Sequence, residues 1–173
     1  MSPLGATTHS AEQTRSLGAA LAPLLRPGDL VLLSGDLGAG KTALTQGLGL
    51  ALGIHEPITS PTFTLVRQYP GRPLGLIHAD VYRLDRLEEI ADLGLVELVD
   101  ERSVAVIEWG DMAEPVLPAD FCEVRIGFGE RDDDRDFIMR LVGSWIARRR
   151  VLAEALAPFA PVTGVTPDMG EAR

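Results

Sequence analysis

Residues 35–42 read Gly35-Asp36-Leu37-Gly38-Ala39-Gly40-Lys41-Thr42, and their neighbours on either side constrain the fold more than any other feature. Leu30-Val31-Leu32-Leu33 precedes them, a short unbroken apolar run of the kind shown by a strand buried on both faces. A stretch with helical periodicity follows over residues 41–52, and Gly53 is placed to end it. The pattern G-x-x-x-x-G-K-T has a physical task at each fixed position. Gly35 and Gly40 allow backbone conformations that residues with a Cβ resist, so several N–H groups converge on one anion. The helix starting near Lys41 points its positive dipole end at the same place. The Lys41 ammonium reaches the β- and γ-phosphates, and the Thr42 hydroxyl is a hard oxygen ligand for magnesium. Strand, glycine loop and helix in this order predict a cradle for a nucleoside triphosphate.

Composition sharpens the point. The 173 residues include fifteen arginines but a single lysine, Lys41, and no asparagine. An ammonium is thus kept at the one place where a compact point charge suits the chemistry better than a planar fork. Net charge is −9, from 25 acidic and 16 basic residues. A chain that grips nucleic acid unaided is expected to carry a basic surplus, which moves the expectation toward protein and small-molecule partners. No apolar run nears the roughly 18 residues of a membrane-spanning helix, and no basic-then-apolar leader opens the chain, so no membrane role and a cytoplasmic location are expected. Cys122, the one cysteine, has no partner for an internal disulfide and reads as buried and inert.

The rest of the chain reads as alternating helices and strands. Residues 1–9 are expected to fray. Ser10 and Gln13 have capping-box spacing before a helix over about 10–25, built on Leu17, Leu21, Leu24 and Leu25. Residues 62–68 and 74–79 form a predicted hairpin around Tyr69-Pro70-Gly71-Arg72-Pro73. Asp85 and Glu88 repeat the capping spacing ahead of a short helix, and Val104–Ile107 is a third apolar strand. A second hairpin joins residues 121–128 to 137–142 through Asp132-Asp133-Asp134, and a last helix covers about 144–157. This is mixed α/β: one domain over residues 1–157, a sheet with helices on its faces, and a loose tail over 158–173.

Two carboxylates stand directly after apolar strands, where open α/β sheets bind ligands. Glu108 ends Val104–Ile107 in the manner of a Walker B acid, and Asp80 follows Leu76-Ile77-His78-Ala79. A strand-end cap or a surface ion pair is the alternative for each. Thr59-Ser60-Pro61-Thr62-Phe63-Thr64 reads equally as a turn or as a segment whose hydroxyls sense the γ-phosphate. His78 reads as a strand residue with a satisfied ring, and Tyr82 and Trp109 as local packing beside the acids.

The loop, Ser60-Pro61-Thr62-Phe63-Thr64, His78-Ala79-Asp80-Val81-Tyr82-Arg83-Leu84 and Glu108-Trp109, in this order and spacing, resemble the bacterial TsaE family from about residue 10 to residue 142. That resemblance implies a P-loop NTPase-like, three-layer fold with a central mixed sheet and a C-terminal antiparallel hairpin. It implies ATP and magnesium as cofactors, hydrolysis that is weak in isolation, and a working complex with TsaB-like and TsaD-like subunits. That complex installs threonylcarbamoyl on the tRNA adenosine next to the anticodon. This chain would reset it between turnovers and meet tRNA only through its partners. Carried over by residue, Leu37, Gly38, Ala39, Gly40, Lys41, Thr42 and Ala43 hold the nucleotide. Thr42 and Glu108 hold magnesium, and Lys41 and Asp80 serve hydrolysis. Ser60 to Thr64 becomes a switch-like loop, Ser10 to Thr14 lies near the base, and Arg135 borders the nucleotide. Two departures stand out: Ala43 lacks a hydroxyl common among relatives, and Asp132 to Asp134 are unusually acidic beside such a pocket.

A small-molecule kinase shares the loop but usually adds an arginine-bearing lid, for which the space between Thr42 and Glu108 has no separate segment. A GTPase commonly reads guanine with Asn-Lys-x-Asp, which this chain lacks. A scaffold that binds nucleotide without turnover is the remaining alternative.

Overall fold

The computed structural model describes residues 4–160. Among them, seven strands form one mixed sheet. In chain order they are β1 (Leu4–Thr8), β2 (Leu30–Ser34), β3 (Val66–Tyr69), β4 (Gly75–Asp80), β5 (Ser103–Glu108), β6 (Cys122–Phe128) and β7 (Arg135–Leu141). The spatial order is β1-β7-β6-β2-β5-β4-β3. The four middle strands run parallel, and β3, β7 and β1 are antiparallel to their neighbours.

Burial on both faces explains the apolar runs. All five residues of β2 are buried, and alternate side chains feed opposite cores. Val31, Leu33, Val104 and Val106 pack under helices α1 (Ala11–Leu21), α2 (Lys41–Ala51) and α6 (Arg149–Leu156). Leu30, Leu32, Ala105 and Ile107 pack under the short helices α3 (Leu87–Asp92), α4 (Leu95–Leu98) and α5 (Gly110–Ala113). Three layers result. No helix among the described residues is long and apolar enough to cross a membrane.

Helix α1 fixes the position of α2. Gly18 of α1 lies against the backbone of Leu44 and Leu48, and Gly47 of α2 lies against Arg15, so a Cβ at either would overlap the other helix. The two axes therefore approach more closely than side chains normally permit. Arg15 Nε adds a bond to Gln46 Oε1 at 3.0 Å.

Several expectations are corrected. Residues 1–3 lie outside the described residues, and within the stretch expected to fray Leu4–Thr8 form a strand, β1, paired to β7 over five residues. Its alternation of buried Leu4, Ala6 and Thr8 with less buried Gly5 and Thr7 is real, but it is carried by small residues and so is faint. Helix α1 ends at Leu21 and passes into a 3-10 turn over Ala22–Leu24, with Pro23 at its start. Its cap is also split: Ser10 Oγ accepts from Gln13 N, but the Gln13 side chain returns to His9 N. Strand β3 begins only at Val66, because residues 62–64 turn and Leu65 takes a positive φ of 66°. The cap of α3 sits one residue later than the spacing indicates, with Glu89 accepting from Arg86 N at 3.2 Å. Helices α4 and α5, four residues each, are too short to show a period. The last helix starts as a 3-10 turn over Gly143–Arg148. Ala157–Phe159 also fold into a 3-10 turn, and the rest of the expected tail, 161–173, lies outside the described residues.

Candidate functional site

The parallel register places the catalytic candidates before any side-chain contact is considered. Asp80 lies opposite Glu108 at the carboxyl ends of β4 and β5, two residues past the pair His78 and Val106. Side chains two apart share a face, and Val106 belongs to the core under α2. His78, Asp80 and Glu108 therefore all face α2, whose first residues are Lys41 and Thr42.

Between β2 and α2 the glycine loop closes on itself. Gly35 has φ +148°, and a Cβ there would run into Ile126 O, while Gly40 has φ +111°. Ala39 N donates to Asp36 O at 3.0 Å inside the loop. The first amide of α2 to bond back within the helix is Leu44 N, to Gly40 O at 3.0 Å. By helix geometry the amides of Lys41, Thr42 and Ala43 have no partner within the helix. They form the electropositive end of α2.

Lys41 is only 5% exposed. Its ammonium donates to Gly35 O at 2.6 Å and Asp36 O at 2.9 Å, and lies 4.1 Å from the ring centre of Trp109. Burial pulls its pKa below the ordinary lysine value, opposed by the nearby charges of Glu108 and Asp80 and, more weakly, of Asp36 and Asp111. Thr42 Oγ1 donates to Glu108 Oε1 at 2.9 Å. A hydroxyl and a carboxylate in contact form a donor set of hard oxygens, which suits magnesium. Among the described residues no group of three His, Cys, Asp or Glu is placed to hold a metal alone.

The Ser60–Thr64 segment meets these acids. Ser60 Oγ donates to Asp80 Oδ2 at 2.7 Å and Thr62 Oγ1 to the same oxygen at 3.1 Å, while Tyr82 N donates to Asp80 Oδ1 at 2.9 Å. Ser60 Oγ also lies 3.4 Å from Glu108 Oε2. The segment is held by bonds from Leu65 N to Pro61 O and from Asp80 N to Leu65 O. Leu65 and Trp109 are the non-glycine residues with positive φ among those described. Both adjoin the site, the usual location of such strain.

Arg135, at the start of β7, braces the outer side of the loop. Its Nε donates to Ala39 O at 3.0 Å and another of its nitrogens approaches Gly38 O at 3.4 Å, while its guanidinium lies over Phe128. In the acidic turn the Asp134 carboxylate is paired, accepting from Arg131 and contacting His9 Nδ1 at 2.8 Å. Leu37 is 80% exposed, so only its backbone belongs to the loop's inner surface. Thr14 of α1 lies beside Gly40, and its hydroxyl is 2.7 Å from that of Thr8. Tyr82 and Trp109 stack at 4.7 Å. The sequence reading missed what Trp109 does beyond packing, namely to roof Lys41, and it gave His78 no part in the site. A histidine two residues before Asp80 on the same strand was the available signal, because strand period places both on one face. Cys122 is buried as expected, and burial pushes its thiol up to about 12.

A glycine loop between a buried parallel strand and a helix, with strand-end acids facing that helix, defines a P-loop-like protein of the three-layer α/β class. Comparisons place it more narrowly. The family profile described as "Threonylcarbamoyl adenosine biosynthesis protein TsaE" matches residues 8–137. A Treponema pallidum protein named tRNA threonylcarbamoyladenosine biosynthesis protein TsaE is 50% identical over 111 residues, 64% of this chain and 82% of its own length. The Bacillus subtilis protein of the same name is 37% identical over 150 residues, 87% of this chain and 91% of its own. The crystal structure of Bacillus subtilis YdiB superposes with a TM-score of 0.70 at 32% identity, covering 91% of this chain and 95% of that one. The chain belongs to the TsaE family of tRNA threonylcarbamoyladenosine biosynthesis proteins.

Proposed function

We propose that the protein binds ATP with magnesium and hydrolyses it as the resetting component of the complex that installs threonylcarbamoyl on the tRNA adenosine next to the anticodon. One observation carries this reading: a buried ammonium held by loop carbonyls beside the open amide end of α2. Lys41 exchanges those carbonyls for phosphate oxygens, which relieves part of the cost of burying its charge. The backbone of Leu37, Gly38, Ala39, Gly40, Lys41, Thr42 and Ala43 lines the anion site. Thr42 and Glu108 would hold magnesium, which when bound neutralises charge developing on the β- and γ-oxygens. Asp80 orients the attacking water and is tied through Ser60 and Thr62 to the switch-like segment, so a change at the phosphates alters that segment's anchorage. Arg135 holds the loop from outside.

Membership of the family supports a role in threonylcarbamoyladenosine biosynthesis; in this reading turnover is weak alone and depends on TsaB-like and TsaD-like subunits. A net charge of −9 agrees with tRNA being held by a partner. Leu37 on the loop and Phe63 on the switch-like segment are exposed apolar side chains suited to a protein neighbour. Phosphate release should be measured with ATP and magnesium, first for this protein alone and then with both subunits and tRNA. Release that rises only in the complete mixture is expected. No release in that mixture, or transfer of the γ-phosphate to an organic acceptor, contradicts the proposal.

A further inference from the structure

His78 is fully buried and sits on β4 one strand over from Glu108. Its Nε2 is 2.8 Å from Glu108 Oε1, the same oxygen that accepts from Thr42 at 2.9 Å. Its Nδ1 has no hydrogen-bond partner. A carboxylate oxygen accepts, so Nε2 carries the hydrogen of this contact. A carboxylate at a strand end ordinarily rotates about its last torsion with little resistance. Here one oxygen is pinned from below by an imidazole that cannot reach water, and the other is left toward Ser60.

We propose that His78 is a positioning residue for Glu108: its Nε2–H fixes the carboxylate so that Oε1 stays beside the Thr42 hydroxyl, in the orientation the metal-binding pair requires. The inference rests on the assignment of Thr42 and Glu108 to magnesium made above. Partners of this kind behind a metal-binding carboxylate or imidazole typically change metal affinity about 10- to 100-fold when removed.

Two measurements test it. In the nucleotide-free and metal-free protein, long-range proton–nitrogen NMR of the His78 ring should show the proton on Nε2, and a proton on Nδ1 instead would overturn the contact. Calorimetric ATP titrations with magnesium and with EDTA give the gain in affinity due to the ion, for wild type, His78→Ala and His78→Gln. His78→Ala should keep the EDTA affinity and lose about 10-fold of the magnesium gain. His78→Gln, whose amide can still donate, should recover most of it. If either variant fails to fold, the other variant and the wild-type ring spectrum still decide. A magnesium gain unchanged in His78→Ala overturns this inference alone. A wild type that binds ATP with no magnesium gain overturns the assignment of Thr42 and Glu108 as well, so the two failures are told apart.

Discussion

Lys41, at the start of α2, and Asp134, in the turn between β6 and β7, show how differently two charged residues can be used. The Lys41 charge is kept in a place that disfavours it, with carbonyls and an aromatic face as substitutes for water. Asp134 is the reverse case. Arg131, and then His9, hold its carboxyl down to about 2, from an ordinary 3.8. A depressed folded pKa means the unfolded chain binds the proton more tightly, so Asp134 stabilises the fold above 3.8 and loses that contribution as pH falls toward about 2. Urea midpoints of wild type and Asp134→Asn, followed across this window, should differ at pH 5 to 7 and converge on acidification. The Lys41, Thr42, Glu108 and Asp80 positions are legible in the sequence because strand and helix periods fix where each side chain emerges. His78 was not, because a histidine in a buried strand looks the same whether its ring faces apolar core or a carboxylate. The pairing within the acidic turn was not legible either: sequence shows three aspartates but not Arg131 and His9 folding onto the last of them.

Among the elements, α1 and α2 act as one rigid pair because glycines at their crossing let backbone meet backbone. Gly47→Ala should lower stability by about 1–3 kcal/mol through overpacking, read as a lower urea midpoint with an unchanged slope. The same variant should also weaken ATP binding, since α1 carries Thr14 against Gly40 and α2 carries Lys41. An unchanged midpoint would show that the helices separate without cost. Apolar runs made β2 and β5 easy to read, and hairpin spacing did the same for β6 and β7. What escaped were elements whose signal is tertiary. β1 is a strand because β7 offers it an edge, and β3 starts late because residues 62–64 turn and Leu65 takes a positive φ.

At the scale of the whole molecule, the sheet gathers residues from distant parts of the chain onto one edge. The loop after β2, the acids that end β4 and β5, and Arg135 of β7 converge there. On the proposed function, Asp80→Asn should separate binding from turnover. It leaves the cradle intact, so ATP affinity should stay near that of wild type while phosphate release in the complete complex falls about 100-fold or more. Full turnover by this variant would favour a scaffold role for the nucleotide. The most direct measurement is calorimetric titration of ATP with magnesium into wild type and Lys41→Ala. Wild type should bind one ATP per chain. The variant should bind roughly 10- to 100-fold more weakly, the range expected for losing hydrogen bonds to a charged partner. Equal affinities would contradict the claim that this ammonium and the amide end of α2 form the anion site.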